Sequence, residues 1–198
     1  MNGERVRLYF QNVCEIVGNN SGQGGLIILC DEQRERAISV FCDVNTSRML
    51  MRRCTNAGTK DKERLPDVLC GLLMSKFYDY DKELFIWDVQ NGKYQTSLIL
   101  KGENIIERPI NLEDAVLLMK ITGIPIYTYR SLMRMQSLPY SQDLSCLAIP
   151  INTLPDEKLK KALDEAVRSE NYRQAKYIND ELKRRKLSSS ECSDESKS

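Results

Sequence analysis

Displaced by 68 residues, the chain falls over itself. Ile38 lies on Ile106, Phe41 on Pro109, Asp43 on Asn111, and Met49-Leu50-Met51 on Leu117-Leu118-Met119. In both halves an Asp or Asn stands where a helix N-cap belongs, directly ahead of an apolar helix. The surrounding text agrees. "RVRLYFQNVCEIV" alternates with a period near two and runs into the loop "GNNSGQGG"; "LIILCD" and "RAISVFCD" follow as strands on either side of the polar turn "EQRE". The helix "VNTSRMLMRRC" comes next, then the charged loop "TNAGTKDKER", then Pro66 and the apolar helix "DVLCGLLMSKF". The second half repeats the order with "ELFIWDV", "YQTSLILK", "ENIIERPI" and the helix "LEDAVLLMKIT", which Gly123 closes.

Asn91-Gly92 joins the first two strands of that second half, and both residues tolerate the positive φ that a type I′ turn requires. Connections this short cannot return a strand parallel to its neighbour, so an all-parallel sheet is excluded. The expected fold is α+β: duplicated β-β-β-α units with mainly antiparallel sheet over residues 1–150, followed by a C-terminal helical hairpin at 153–187. Residues 188–198, "SSSECSDESKS" with the Leu187 boundary before it, are too poor in apolar groups to offset their ordering entropy and read as a disordered tail.

Composition narrows the chemistry. Apolar residues are 41 % of the chain, enough for a core, and 29 basic against 28 acidic side chains leave a net charge of +1. No global field attracts nucleic acid, so any such contact needs a local patch. Arg48, Arg52, Arg53, Lys60, Lys62 and Arg64 are close in sequence, diluted by Asp61 and Glu63; a solvated loop and a phosphate contact both fit them. There is no histidine, which removes Ser-His-Asp and Cys-His mechanisms and imidazole-bound zinc. The seven cysteines are scattered singly, without a Cys-x-x-Cys pair, and read as small buried hydrophobes of a reducing compartment. The charged start "MNGERVRLYF" and the lack of a membrane-length apolar run lead to a cytoplasmic protein with no membrane contact as the expectation.

"ERPINLEDAVLLMKITGIPIYTY" concentrates Arg108, Glu113 and Asp114 at the mouth of a helix. Two adjacent carboxylates and an arginine are the makings of a metal-dependent hydrolase. They are also what a helix start uses: Asn111 as N-cap, and two acids in the first turn where the macrodipole favours negative charge.

The same stretch resembles the C-terminal motif of the bifunctional nuclease family. Arg108-Pro109, Asp114-Ala115-Val116-Leu117-Leu118 and Pro125-Ile126-Tyr127 carry the likeness, "KYQTSLIL" resembles the strand before the motif, and the whole covers about residues 5–135. The resemblance implies a duplicated α+β fold and cleavage of DNA and RNA. Two departures stand out. "INLE" separates Arg108-Pro109 from Asp114, and the segment "ERLPDVL" keeps Arg64, Asp67 and Leu69 but lacks the family's Thr and His. Phosphodiester hydrolysis would then need carboxylates around Mg²⁺ or Mn²⁺ and a cation to stabilise developing charge. Asp67, Asp88, Glu113 and Asp114 are the candidates, Asp88 and Asp114 for the metal, with Arg64 and Arg108 for the phosphate. Asp88, just before the hairpin turn, reads equally well as a solvated strand end. Phe85 and Trp87 alternate with Leu84 and Ile86, so one face of that strand must be core, and base stacking is not the first reading.

From Thr153 the text becomes helical. Thr153, Pro155 and Asp156 make a helix start; Leu159, Ala162, Leu163, Ala166 and Val167 form one apolar stripe; Asn171 and Gln174 cap a second helix whose stripe is Tyr172, Ala175, Ile178 and Leu182. The segment resembles the UVR motif of excinuclease subunits B and C: Tyr172 takes the place of the motif's aromatic, Ala175, Ile178, Asp180, Glu181 and Leu182 follow its spacing, and Asn179 replaces the usual Arg. What this implies is a protein partner, or a second copy of the chain, held through Tyr172, Ala175, Ile178 and Leu182. The expected function is a nuclease that hydrolyses DNA or RNA phosphodiesters with a metal's help and is recruited by its protein-binding hairpin; the alternative is a non-catalytic adaptor whose hairpin recruits a repair or stress-response partner, and an oligomeric module is a third class.

Overall fold

The computed structural model describes residues 3–16, 24–55, 64–140, 151–154 and 156–194; the notion of a flexible loop at 18–25 and a charged loop at 55–64 falls mostly outside them. The chain is α+β. The described residues form strands β1 (Arg5–Ile16), β2 (Gly24–Cys30) and β3 (Arg36–Cys42), helices α1 (Val44–Cys54) and α2 (Leu65–Lys76), strands β4 (Asp81–Gln90), β5 (Lys93–Lys101) and β6 (Ile105–Ile110), helix α3 (Leu112–Thr122), strand β7 (Ile126–Tyr129), helix α4 (Arg130–Gln136) and the short strand β8 (Leu138–Pro139). A single 3-10 turn at Ile151–Thr153 precedes α5 (Asp156–Arg168) and α6 (Tyr172–Asp194). The order β-β-β-α therefore occurs twice.

These residues gather into two compact units: Met1–Asp88 with Tyr94–Ala148, and Val89–Lys93 with Ile149–Ser198. The tip of the β4–β5 hairpin thus groups with the C-terminal segment.

In the first unit, one eight-stranded sheet runs in the order β6-β5-β4-β7-β1-β2-β3-β8. β1 pairs antiparallel with β2 and β7, β2 with β3, β3 with β8 and β5 with β6, whereas β4 and β7 run parallel, with Phe85 opposite Tyr127. β7 was not foreseen as a strand, yet it joins the two halves, pairing with β4 on one side and with Arg5–Leu8 of β1 on the other. β1 serves both halves because its register shifts between Phe10 and Asn12, a bulge that re-aims the strand. Leu26–Cys30, Ile38, Val40, Leu84, Ile86 and Ile126 are buried in the sheet, and Leu50, Ala115, Val116 and Leu117 in the helices. α1 packs on β1, β2 and α3, and α2 on α3. Close passage of α1 over β2 explains Gly25: a Cβ there would stand 2.5 Å from the Ser47 Cβ and 2.9 Å from the Cys42 sulfur.

Asp43 caps α1, accepting from the N–H of Asn45 at 2.7 Å and of Thr46 at 3.0 Å. Asn111 stands at the N-cap of α3 with φ −64° and ψ 144°, but its side chain makes no cap hydrogen bond, contrary to the expectation. Gly123 ends α3 in the left-handed region at φ 78° and donates to the Met119 carbonyl at 2.8 Å.

In the second unit, α5 and α6 form an antiparallel hairpin around Leu159, Ala166, Ala175, Ile178 and Leu182, with Leu154, Ala162 and Leu163 packed against them. Asn171 and Gln174 cap α6 reciprocally: the Gln174 N–H donates to the Asn171 Oδ1 at 3.3 Å, and the Asn171 Nδ2 donates to the Gln174 Oε1 at 3.0 Å. Helix α6 continues in backbone to Asp194, into the stretch expected as tail. No Gly or Pro follows Lys186 to stop it. Side chains from Leu187 onward lie outside the described residues.

Candidate functional site

The residues singled out for hydrolysis are carried by four elements of the first unit: α2, β4, β6 and α3. Asp67, at the start of α2, receives the Arg53 guanidinium at 2.6 and 2.8 Å and the Arg64 N–H at 3.2 Å. Burial pushes its carboxyl up, but the Arg53 hydrogen bonds and charge, with the Arg64 N–H, outweigh it and hold the group below the usual carboxylate range. It ties α1 to α2. Arg108 is exposed on β6, a sheet edge, with its guanidinium on the Glu107 carbonyl at 3.0 Å. Glu113 is half-buried and Asp114 exposed in the first turn of α3. Asp88 is half-buried in β4. Among the described residues no three carboxylate or thiol side chains gather closely enough to hold a metal ion.

Thiol chemistry is also restricted. Burial, then the charges of Asp43 and Glu113, push the Cys42 thiol up to about 12, and burial pushes Cys30 to about 11. Cys14 and Cys70 are raised by burial as well. These four thiols stay protonated near neutrality, so none supplies a thiolate nucleophile.

What the first unit does assemble is an open sheet face. The core side of its second half carries Leu8, Leu84, Ile86, Ile126 and Thr128. The opposite side carries Arg5 and Arg7 of β1, Tyr127 and Tyr129 of β7, and Phe85 and Trp87 of β4, because side chains two apart share a face and the cross-strand pairs are Arg5–Tyr129, Arg7–Tyr127 and Phe85–Tyr127. The Arg5 guanidinium lies 4.6 Å from the Phe85 ring centre and 4.9 Å from that of Tyr127. Phe85 meets Tyr129 edge to face at 4.8 Å. Glu83 accepts both Arg5 and the Lys101 ammonium at 2.9 Å. Burial raises the Glu83 carboxyl, but these two cations together lower it overall. Gly3, Arg5, Glu83, Phe85, Trp87, Ile99, Glu107 and Tyr129 line a cleft of about 790 Å³. Trp87 is 41 % exposed there. The aromatic alternation in "FIW" and "YTY" marks these strands as two-faced without showing which face turns outward.

The second unit has its own groove, of about 830 Å³, between α5 and α6, where Leu163, Val167 and Tyr172 meet Arg168 and Lys176. Tyr172 is 68 % exposed, and Val167 is exposed beside it. Ala175, Ile178 and Leu182, assigned with Tyr172 to a partner, are instead buried in the core of the hairpin itself. Two facing stripes on adjacent helices satisfy one another first.

No helix among the described residues is long and apolar enough to cross a membrane. Compared with known proteins, the chain matches no family model and no curated protein.

Proposed function

We propose that this chain is a non-catalytic adaptor whose C-terminal hairpin recruits a protein partner. The observation that carries this reading is the exposed Val167–Tyr172 edge of a hairpin whose interior is already filled. An exposed aromatic with an aliphatic neighbour, rimmed by Arg168 and Lys176, has the composition of a small interface centre. The likeness to the UVR motif supports the same role. A photo-crosslinking amino acid placed at Tyr172 of the full chain, in the cells that make it, gives a discrete adduct with another protein. The same group at Tyr78, an exposed position of the first unit, does not. Identical adducts from both positions, or none at 172, contradict the proposal.

A nuclease is the second reading. The duplicated β-β-β-α architecture that the family resemblance implies favours it, as do the first-turn acids Glu113 and Asp114. The distribution of the other candidates speaks for binding: Asp67 is engaged by Arg53, and Arg108 sits on an edge strand.

A further inference from the structure

We infer that the cleft on the open face of β4, β7 and β1 is a binding site for a single nucleotide, its base on Trp87 and its phosphate at Arg5, with Lys101 of β5 adjoining across the Glu83 carboxylate that both cations share. Trp87 presents an exposed indole beside Tyr129 in a cleft of about 790 Å³, which suits one nucleotide-sized molecule. Base–aromatic stacking is tolerant of base identity because every base has a π-face. Two cations share one carboxylate: Arg5 and Lys101 both meet Glu83 at 2.9 Å, leaving the trio one positive charge in excess. A guanidinium has five N–H donors and an ammonium three, so both keep donors for phosphate oxygens after serving Glu83. Stacking over Phe85 and Tyr127 fixes the plane of Arg5 before any ligand arrives, which lowers the ordering cost of binding. Glu107, also on the cleft wall, offsets that excess, so the phosphate is held by directed N–H donors and not by net charge. With a net charge of +1 over the whole chain, a single nucleotide fits this balance better than a long polyanion.

This site lies wholly in the first unit, so its success or failure leaves the hairpin reading standing. Trp87 is the sole tryptophan of the chain, and its fluorescence therefore reports on this site alone. The full chain is titrated with each of AMP, GMP, CMP and UMP, with the matching nucleosides, and with a short single-stranded oligonucleotide. The expected result is saturable quenching by at least one monophosphate, with its nucleoside about tenfold weaker or worse for want of the charge-assisted contacts. Arg5→Gln and Lys101→Gln each weaken the monophosphate and leave the nucleoside unchanged. Should Arg5→Gln alter the circular dichroism spectrum, Lys101→Gln alone carries the comparison, since its side chain is 43 % exposed at the end of β5 and supports no core packing. Absence of saturable quenching overturns the site. So does equal affinity for nucleoside and nucleotide, and so does tighter binding of the oligonucleotide, which would make the face a strand-binding surface.

Discussion

Arg185 is only 4 % exposed, and four different groups hold it. Its guanidinium donates to Glu181 at 2.8 Å, to Asp156 and the Leu154 carbonyl at 2.7 Å, and to the Asn152 carbonyl at 2.9 Å, lacing α6 to the turn before α5. Removing it takes from half-buried Glu181 one of its two arginines and leaves the Leu154 and Asn152 carbonyls without that donor, so Arg185→Met costs on the order of 2–3 kcal/mol and destabilises the hairpin while the sheet unit persists. Two transitions, or lost helicity without lost sheet, in a thermal melt followed by circular dichroism check this; a single unchanged transition contradicts it. Burial raises the Glu181 carboxyl, but Arg184 and Arg185 together hold it below its ordinary value near 4.5. A depressed acid stabilises fully above its unfolded value and loses that stabilisation as pH falls through the folded one. The hairpin's melting temperature therefore drops as the pH falls below the ordinary carboxyl value near 4.5, more steeply in the native chain than in Glu181→Gln. At Asp43 the expected loss is smaller: Asp43→Ala removes the cap of α1 and costs about 1 kcal/mol, read from chemical denaturation.

At the scale of elements, helix α2 presents Leu65, Val68, Leu69 and Leu72 to solvent, a stripe at helical spacing on the side away from buried Cys70. Side chains this exposed bury too little area to contribute much to folding. Leu69→Ser with Leu72→Ser changes unfolding free energy by less than about 1 kcal/mol in total, in contrast to a core truncation such as Leu117→Ala at roughly 2–5 kcal/mol. Comparable losses in the two variants would mean that the stripe is covered. The legible elements were those with strong local signals. Asn91-Gly92, with φ 49° and 79°, makes the turn that the dipeptide requires, and α3 has the bounds that its apolar run and Gly123 define. β7 was not legible as a strand, because four residues give too short an alternation to set apart from a loop, and its place between β4 and β1 is a matter of long-range pairing. The open face was hidden for a related reason. Leu84 and Ile86 alternate with Phe85 and Trp87, both sets apolar, and only packing decides which set turns inward.

Over the whole molecule, duplication supplies the sheet and an appended hairpin supplies a second, separately cored unit. Sequence alone brought Arg108, Glu113 and Asp114 together on one short stretch, but whether acids from distant segments meet depends on how α2, α3 and β4 pack. In the folded chain Asp43 caps a helix, Asp67 joins two helices and Glu83 joins two cations. Each of these carboxylates has a structural partner that accounts for it. Under the adaptor proposal the molecule acts by binding and does not cut phosphodiesters. The direct test is cleavage of labelled single- and double-stranded DNA and RNA with Mg²⁺, Mn²⁺ or EDTA, the native chain beside Glu113→Gln/Asp114→Asn from parallel preparations. The account predicts that the two proteins are indistinguishable and that neither cleaves in a metal-dependent way. Metal-dependent cutting by the native chain, lost in the folded double variant, would contradict it and make the mouth of α3 an active site.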